Sequence, residues 1–220
     1  MAMAIKEMMA KRAAEEIVNG NVVNLGFGIP QKVVNYIPDD MTVFIHAENG
    51  ILGAGPAAAE GFEDADVVDS GCVAITTVPG ASFFDSADSF ALIRSGCLDI
   101  TILGALEIGA NGDLANWMVP GGKIPGMGGA MDLAKKEKRV IAVTTHTDKN
   151  GNPKLKGECE LPLTADNCVS LIITDIAVMK VTEKGYLLTE LFDGHTVDEV
   201  IEKTDADVEV ADDIRIIRYN

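Results

Sequence analysis

The sequence contains no apolar run close to the roughly 18 residues that a membrane-spanning helix needs. Its first residues also lack a basic segment followed by an apolar one, so we expect no secretory signal peptide. With 220 residues, the chain is long enough to bury a sizeable core. We therefore expect one globular domain over residues 1–220, located in the cytoplasm.

Cysteine and histidine are both scarce. The 4 cysteines form no C-x-x-C pair, and the 3 histidines do not complete a zinc-binding pattern with them. The aspartates also show no spacing that is typical of a metal site. We predict reduced, mostly buried thiols, no metal and no permanently bound cofactor.

Basic residues are few. The chain has 18 lysines and arginines against 34 aspartates and glutamates, which gives a net charge of −16. Such a surface repels nucleic acid and anionic membranes, so we expect neither as a partner. The basic cluster at residues 135–139 is typical of the solvated face of a short helix.

Helical and strand-like segments alternate along the chain. Apolar spacing and end signals predict helices at residues 3–19, 30–37, 86–95, 132–138 and 197–203. Short apolar runs predict strands at residues 22–25, 42–47, 98–103, 139–145, 169–181 and 186–191. This order indicates an α/β fold with an open, mainly parallel sheet flanked by helices, and some antiparallel strands towards the C-terminus.

Two predicted strands lead directly into Gly26-Phe27-Gly28 and Glu48-Asn49-Gly50. Ligands bind beyond the carboxyl ends of strands in such sheets. A glutamate that leaves a buried strand is partly dehydrated, which favours a protonated or unusually nucleophilic carboxyl group. From these residues alone, however, a solvated loop glutamate is the simpler interpretation. His46 is expected to be a hydrogen-bonded core histidine rather than a general base.

Glycine is concentrated in two further places. Residues 121–132 are the most glycine-dense stretch and end at a predicted helix start, where successive N–H groups can hold an oxyanion or a phosphate. A flexible surface loop is the alternative. The Gly26-Phe27-Gly28 run lacks the third glycine of a dinucleotide-binding fingerprint, since Gln31 stands there, so a dehydrogenase is disfavoured.

Several runs, in this order along almost the whole chain, resemble the β subunits of family I coenzyme A-transferases of the 3-oxoacid and butyrate–acetoacetate type. These runs are residues 24–30, 48–53, 78–86, 111–117, 126–133 and 161–164. The resemblance implies a fold shared with sugar-phosphate isomerases and deaminases. It also implies an α-subunit partner, in an αβ unit or a heterotetramer, and acyl-CoA and small carboxylic acids as substrates.

The same resemblance makes Glu48 the nucleophile of a ping-pong reaction. Its carboxylate would attack an acyl-CoA, and a covalent glutamyl-CoA thioester would form through a mixed anhydride. An acceptor acid would then reverse these steps. Coenzyme A would be a substrate, and neither ATP nor a metal would be required.

Supporting roles are expected for residues around Glu48. The backbone N–H groups of Gly128 and Gly129 suit an oxyanion, and the amides of Asn24 and Asn49 can donate hydrogen bonds to the substrate or to Glu48. Glycines that would allow close approach of the substrate are Gly26, Gly28 and Gly50.

The sequence departs from the family at two positions. Ala47 stands where the family has serine, and Cys72 stands where some relatives have a lysine that could contact CoA phosphate. Together with the net charge, this suggests that the α subunit supplies much of the CoA site. Three alternatives stay open: another acid specificity such as 3-oxoadipate, succinate, acetate or butyrate, a sugar-phosphate isomerase or deaminase, and a non-catalytic subunit.

Overall fold

The computed structural model describes residues 3–119, 121, 126–135 and 139–219. Its helices are α1 (Ile5–Ala14), a 3-10 helix (Pro30–Tyr36), α2 (Ser86–Arg94), α3 (Ala130–Leu133) and α4 (Val197–Glu202). Its strands are β1 (Val22–Leu25), β2 (Phe44–Ala47), β3 (Ile51–Ala57), β4 (Ile75–Phe83), β5 (Ile100–Leu103), β6 (Glu107–Gly109), β7 (Leu114–Ala115), β8 (Arg139–Val143), β9 (Leu155–Lys156), β10 (Val169–Ile173), β11 (Ala177–Thr182), β12 (Gly185–Phe192) and β13 (Val208–Ile217).

Ten of these strands form one open sheet in the order β13-β12-β11-β10-β8-β5-β1-β2-β3-β4. The five central strands, from β10 to β2, are all parallel. Antiparallel pairs extend the sheet at both ends, through β2-β3-β4 and through β10-β11-β12. The predicted α/β class is confirmed, although antiparallel pairing is not limited to the C-terminal half.

Two strands next to Glu48 were not predicted, because glycine and proline obscure the strand pattern there. The strands β3 and β4 pair with each other, and glycines of β3 lie where β4 comes very close. A Cβ atom on Gly53, whose φ is +96°, would lie 3.0 Å from the Cα atom of Ala81. A Cβ atom on Gly55 would overlap the hydroxyl oxygen of Thr76. These glycines therefore belong to a tightly packed strand pair.

Other differences follow from local hydrogen bonds. The predicted strand at residues 169–181 is divided into β10 and β11, because the Thr174 hydroxyl accepts hydrogen bonds from the N–H groups of Ile176 and Ala177 and so closes a turn. Segment 30–37 is a 3-10 helix rather than an α-helix, and α1 ends at Ala14. Of the predicted helix at residues 132–138, residues 136–138 lie outside the described residues.

The sheet is covered on both faces. One core cluster lies beneath α1 and the 3-10 helix and includes Met9, Val33 and Ile102. The other lies beneath α2, α3 and α4 and includes Ile93, Leu133 and Val200. Each fully buried side chain of this kind contributes roughly 1.5–3 kcal/mol relative to exposure. No helix in the described part of the chain is both long enough and apolar enough to cross a lipid bilayer.

Helix α1 is joined to the sheet by a cluster of charged groups. The Arg12 guanidinium, which is 4% exposed, donates two hydrogen bonds to the Glu190 carboxylate of β12, at 2.6 and 2.7 Å, and a third to Glu16 at 2.6 Å. Arg139 of β8 also pairs with Glu16. Burial raises the pKa of Glu16, but its hydrogen bonds with Arg12 and the charges of both arginines outweigh burial, so the pKa lies below its usual value.

Replacing Arg12 with methionine should lower the free energy of unfolding by about 3–5 kcal/mol, because the carboxylates of Glu190 and Glu16 would be left in a largely buried position without their main partner. Urea denaturation of the purified protein measures this change. The control is Arg218→Met, which removes a 70% exposed arginine paired with Asp193 and should cost less than about 1 kcal/mol. Equal losses in the two variants would contradict the structural role assigned to Arg12.

Candidate active site

Glu48 lies in the tight turn between β2 and β3. The N–H group of Gly50 donates to the Ala47 carbonyl at 3.0 Å and closes this turn. Gly50 has a φ of +123°, and a Cβ atom there would overlap the carbonyl oxygen of Phe84. Only glycine fits this position without strain. The turn therefore depends on Gly50, and it carries Glu48 at the carboxyl end of β2.

The Glu48 carboxylate faces the glycine-rich segment before α3. The N–H group of Gly129 donates to Oε1 of Glu48 over 3.4 Å, which is a long hydrogen bond. A Cβ atom on Gly129 would overlap Oε2 of Glu48, and one on Gly128 would lie 3.7 Å from Oε1. Gly129 thus allows the main chain to lie directly against the carboxylate, whereas the contact at Gly128 is an ordinary one. Residues 122–125 of the same glycine-dense stretch lie outside the described residues.

Partial burial changes the acidity of Glu48. Dehydration of the carboxylate raises its pKa above the usual value, and the hydrogen bond from Gly129 lowers it by a smaller amount. A carboxylate in this setting is less well solvated than an exposed one. It is therefore a stronger nucleophile when it is ionised.

Glu48 opens into a cleft of about 480 Å³. The carboxyl ends of β1 and β5 form one side of this cleft, and the segment before α3 forms another. This is where ligands bind in open α/β sheets, and the volume is within the usual range for small-molecule sites. Side chains at its wall include those of Phe27, Ser70, Leu103, Asn116 and Met127.

The structure gives the side-chain amides of the two asparagines partners other than the Glu48 carboxylate. Asn24 is 1% exposed, and its amide nitrogen donates to Nδ1 of His46 and to the His46 carbonyl, both at 3.1 Å. It points into the core because β1 is covered on both faces, and it does not line the Glu48 cleft. The Asn49 amide donates to the Val68 carbonyl at 2.8 Å rather than to Glu48, and it joins the turn to the segment before β4.

The two glycines after β1, Gly26 and Gly28, line two different cavities. Gly26 lines the Glu48 cleft, and a Cβ atom there would lie 3.0 Å from Cδ2 of Leu103, so β1 and β5 come very close at this point. Gly28 instead borders a separate cavity of about 290 Å³ beneath the 3-10 helix. Its N–H group donates to the Gln31 side chain at 2.8 Å. The cleft thus brings together Glu48, Gly26, Gly128 and Gly129.

Sequence reasoning missed two polar residues near the site. Ser89 is fully buried on α2, and its hydroxyl donates to the Glu48 carbonyl at 2.6 Å. A serine on the buried face of a predicted helix was the available signal. Asn116 is fixed at the cleft wall because its amide donates to the Gly104 carbonyl at 3.2 Å and accepts from the Thr164 hydroxyl at 2.7 Å.

Comparison with known proteins shows the family of the chain. Residues 6–203 match the family model described as coenzyme A transferase. The chain is 51% identical over 210 residues to the beta subunit of a probable coenzyme A transferase of Bacillus subtilis, which covers 96% of this chain and 97% of that protein. It is 49% identical over 206 residues to a subunit of the succinyl-CoA:3-ketoacid coenzyme A transferase of Helicobacter pylori, over 94% of this chain and 99% of that one.

A solved structure shows the same fold. It is an acyl-CoA transferase from Escherichia coli O157:H7 in a thioester complex with CoA, and it aligns with a TM-score of 0.76 and 20% identity. The alignment covers 99% of this chain and 44% of that longer chain. The family indicated by the sequence motifs is confirmed by the family model and by the two bacterial relatives. This chain belongs to the coenzyme A transferase family.

Proposed function

We propose that this chain is the glutamate-bearing β subunit of an enzyme that transfers CoA between an acyl-CoA and a small carboxylic acid. The observation that carries the proposal is the Glu48 carboxylate, which is partly dehydrated and lies against the main chain of Gly129 at the end of a cleft. The donor and acceptor are proposed to belong to the 3-oxoacid class, because the Helicobacter pylori relative is named for succinyl-CoA and 3-ketoacids. Short-chain acids such as acetate and butyrate are the alternative substrates.

Each half of the reaction consists of two acyl transfers. The Glu48 carboxylate attacks the thioester carbonyl of the donor, the C–S bond breaks, and CoA leaves as a thiolate while a mixed anhydride forms. The thiolate then attacks the glutamyl carbonyl, and the donor acid leaves as a carboxylate. This leaves a glutamyl-CoA thioester. An acceptor carboxylate reverses both steps and leaves as the new acyl-CoA.

The main chain at Gly129 suits the second transfer. When the thiolate attacks the glutamyl carbonyl, negative charge develops on an oxygen of Glu48 itself. The Gly129 N–H group already lies 3.4 Å from Oε1 and can shorten this hydrogen bond as the charge grows. A donor fixed in the main chain stabilises the transition state without a large rearrangement.

The charge of the chain supports a two-subunit site. CoA carries several negative phosphates, whereas this chain has a net charge of −16. Its partner should therefore supply much of the positive field around CoA. Both bacterial relatives are named as one subunit of a larger enzyme, and we propose an α subunit as the partner here as well.

The covalent intermediate provides the direct test. The chain should be co-expressed with its α subunit and incubated with acetoacetyl-CoA or succinyl-CoA without an acceptor acid. Mass spectrometry should then find CoA joined, with loss of water, to the peptide that contains Glu48. Glu48→Gln should abolish this adduct and lower the transfer rate by at least about a thousandfold, because the nucleophile is lost. The exposed Glu60→Gln variant should behave as the wild type. Full activity in Glu48→Gln would exclude the mechanism.

A methyl group at position 129 should also impair the reaction. In Gly129→Ala, the new Cβ atom would displace the Glu48 carboxylate, and displacements of about 1 Å can cost roughly a hundredfold in rate. Steady-state kinetics of the co-expressed enzyme measures this loss. Gly157→Ala is the matched control, because its Cβ atom would lie at an ordinary 3.7 Å from the Asp205 carbonyl, outside the cleft. Equal activity of the two variants would contradict contact between Gly129 and the nucleophile.

The raised pKa of Glu48 has a measurable effect on stability. The folded state binds the proton of this group more tightly than the unfolded state does, so its contribution to stability falls as pH rises through the range above the usual glutamate pKa. Glu48→Gln removes this effect. The variant should therefore be more stable than the wild type at neutral pH. The difference should shrink as pH falls towards about 4.3, the ordinary value for glutamate, and should change no further below it. Thermal unfolding at several pH values measures it, and a pH-independent difference would contradict the raised pKa.

A further inference from the structure

We propose that Asn24, His46 and Ser89 form a buried hydrogen-bonded chain that positions Glu48 for its reaction, with Ser89 as the residue that contacts it. This inference rests on the proposed role of Glu48 as the nucleophile. The three residues are 1%, 1% and 0% exposed, so none of them contacts substrate from the cleft. They act on the reaction through the main chain of Glu48.

The contacts form one continuous path. The Ser89 hydroxyl donates to the Glu48 carbonyl at 2.6 Å, and Nε2 of His46 lies 3.0 Å from the Ser89 oxygen. On the other side of the ring, the Asn24 amide nitrogen lies 3.1 Å from Nδ1 of His46. The path therefore runs from β1 through β2 to α2 and ends on the turn that carries Glu48.

The chemistry of these groups fixes the direction of the hydrogen bonds. The hydrogen of the Ser89 hydroxyl is directed to the Glu48 carbonyl, so the Ser89 oxygen can accept from His46. An amide nitrogen can only donate, so Nδ1 of His46 accepts from Asn24. The imidazole therefore carries its hydrogen on Nε2. Each donor in the path points towards Glu48, and each group has its partner.

Helix α2 places two side chains on the two sides of the nucleophile. Ser89 holds the carbonyl of Glu48, and the ring of the next residue, Phe90, lies against Gly129, where its Cζ atom would be 3.0 Å from a Cβ atom. Ser89 thus fixes the peptide group that follows Glu48, and Phe90 packs against the segment that faces the Glu48 carboxylate. Shifting either one would move the carboxylate relative to Gly129.

A second buried histidine, His146, makes hydrogen bonds that do not lead to Glu48. His146 is 1% exposed, and its nitrogens lie 3.0 Å from the Thr174 hydroxyl and 2.9 Å from the Thr204 hydroxyl. Burial lowers its pKa to about 4. The two histidines thus have similar burial and partners, but only the His46 chain ends on the main chain of Glu48. This similarity provides a matched control.

The experiment measures adduct formation at Glu48 in a single turnover, with the co-expressed complex and saturating acetoacetyl-CoA. The first-order rate constant does not depend on how much of a variant folds. Ser89→Ala should lower it by up to about a hundredfold, with little change in the half-saturating acyl-CoA concentration, because orientation rather than binding is lost. His46→Leu should have a similar effect.

A conservative variant separates hydrogen bonding from packing. The glutamine side chain offers an acceptor oxygen and a donor nitrogen, so it can replace both roles of the neutral imidazole. His46→Gln should therefore restore most of the rate that His46→Leu loses. Thr204→Val and His146→Leu remove equivalent buried hydrogen bonds, and they should lower the melting temperature without slowing adduct formation.

The outcomes are distinct for the two proposals. If the wild type forms the adduct at Glu48 but Ser89→Ala and His46→Leu are no slower than the Thr204→Val control, the positioning role is wrong and the proposed function stands. If the wild type forms no adduct at Glu48, the proposed function is wrong, and the positioning role is excluded with it.

Discussion

The close approach of main chain to Glu48 is the constraint on which the site depends. On one side, Gly50 packs against the Phe84 carbonyl so tightly that no Cβ atom fits. On the other side, Gly129 lies against the carboxylate, and a Cβ atom there would overlap it. Both contacts join segments that are far apart in sequence. The turn therefore contacts both the strand pair β3–β4 and the start of α3. Both contacts are possible only because Gly50 and Gly129 have no side chain.

Three partly buried glutamates lie in two opposite kinds of environment. Glu190 and Glu16 are paired with Arg12, so their charges stabilise the attachment of α1 to the sheet. Glu48 is partly buried as well, but within the described residues its carboxylate receives a long hydrogen bond from a main-chain N–H group instead of pairing with an arginine. Its dehydration therefore raises its pKa, because this weak contact does not compensate for burial. Weak solvation of a carboxylate costs stability, and it also makes the group more reactive as a nucleophile.

The polar residues beneath the turn extend this arrangement. Asn24 and His46 occupy strand positions whose neighbours along the chain belong to the apolar core, and they face α2 rather than solvent. Buried polar groups are expensive unless each has a partner. The chain Asn24–His46–Ser89 satisfies this condition and ends on the carbonyl of Glu48. A set of hydrogen bonds that the core requires can thus also fix the geometry of the nucleophile.

The sequence by itself determined the parallel centre of the sheet, because continuous apolar runs such as residues 140–143 carry their own signal of a buried strand. It also placed Glu48 at a strand end, and its ordered motifs indicated the family. Only the tertiary structure decided that Gly129 faces Glu48 across 81 positions, that Ser89 supports it, and that Asn24 turns away from the cleft. Local patterns report which face of an element is buried, whereas these contacts depend on how distant elements meet in the folded chain.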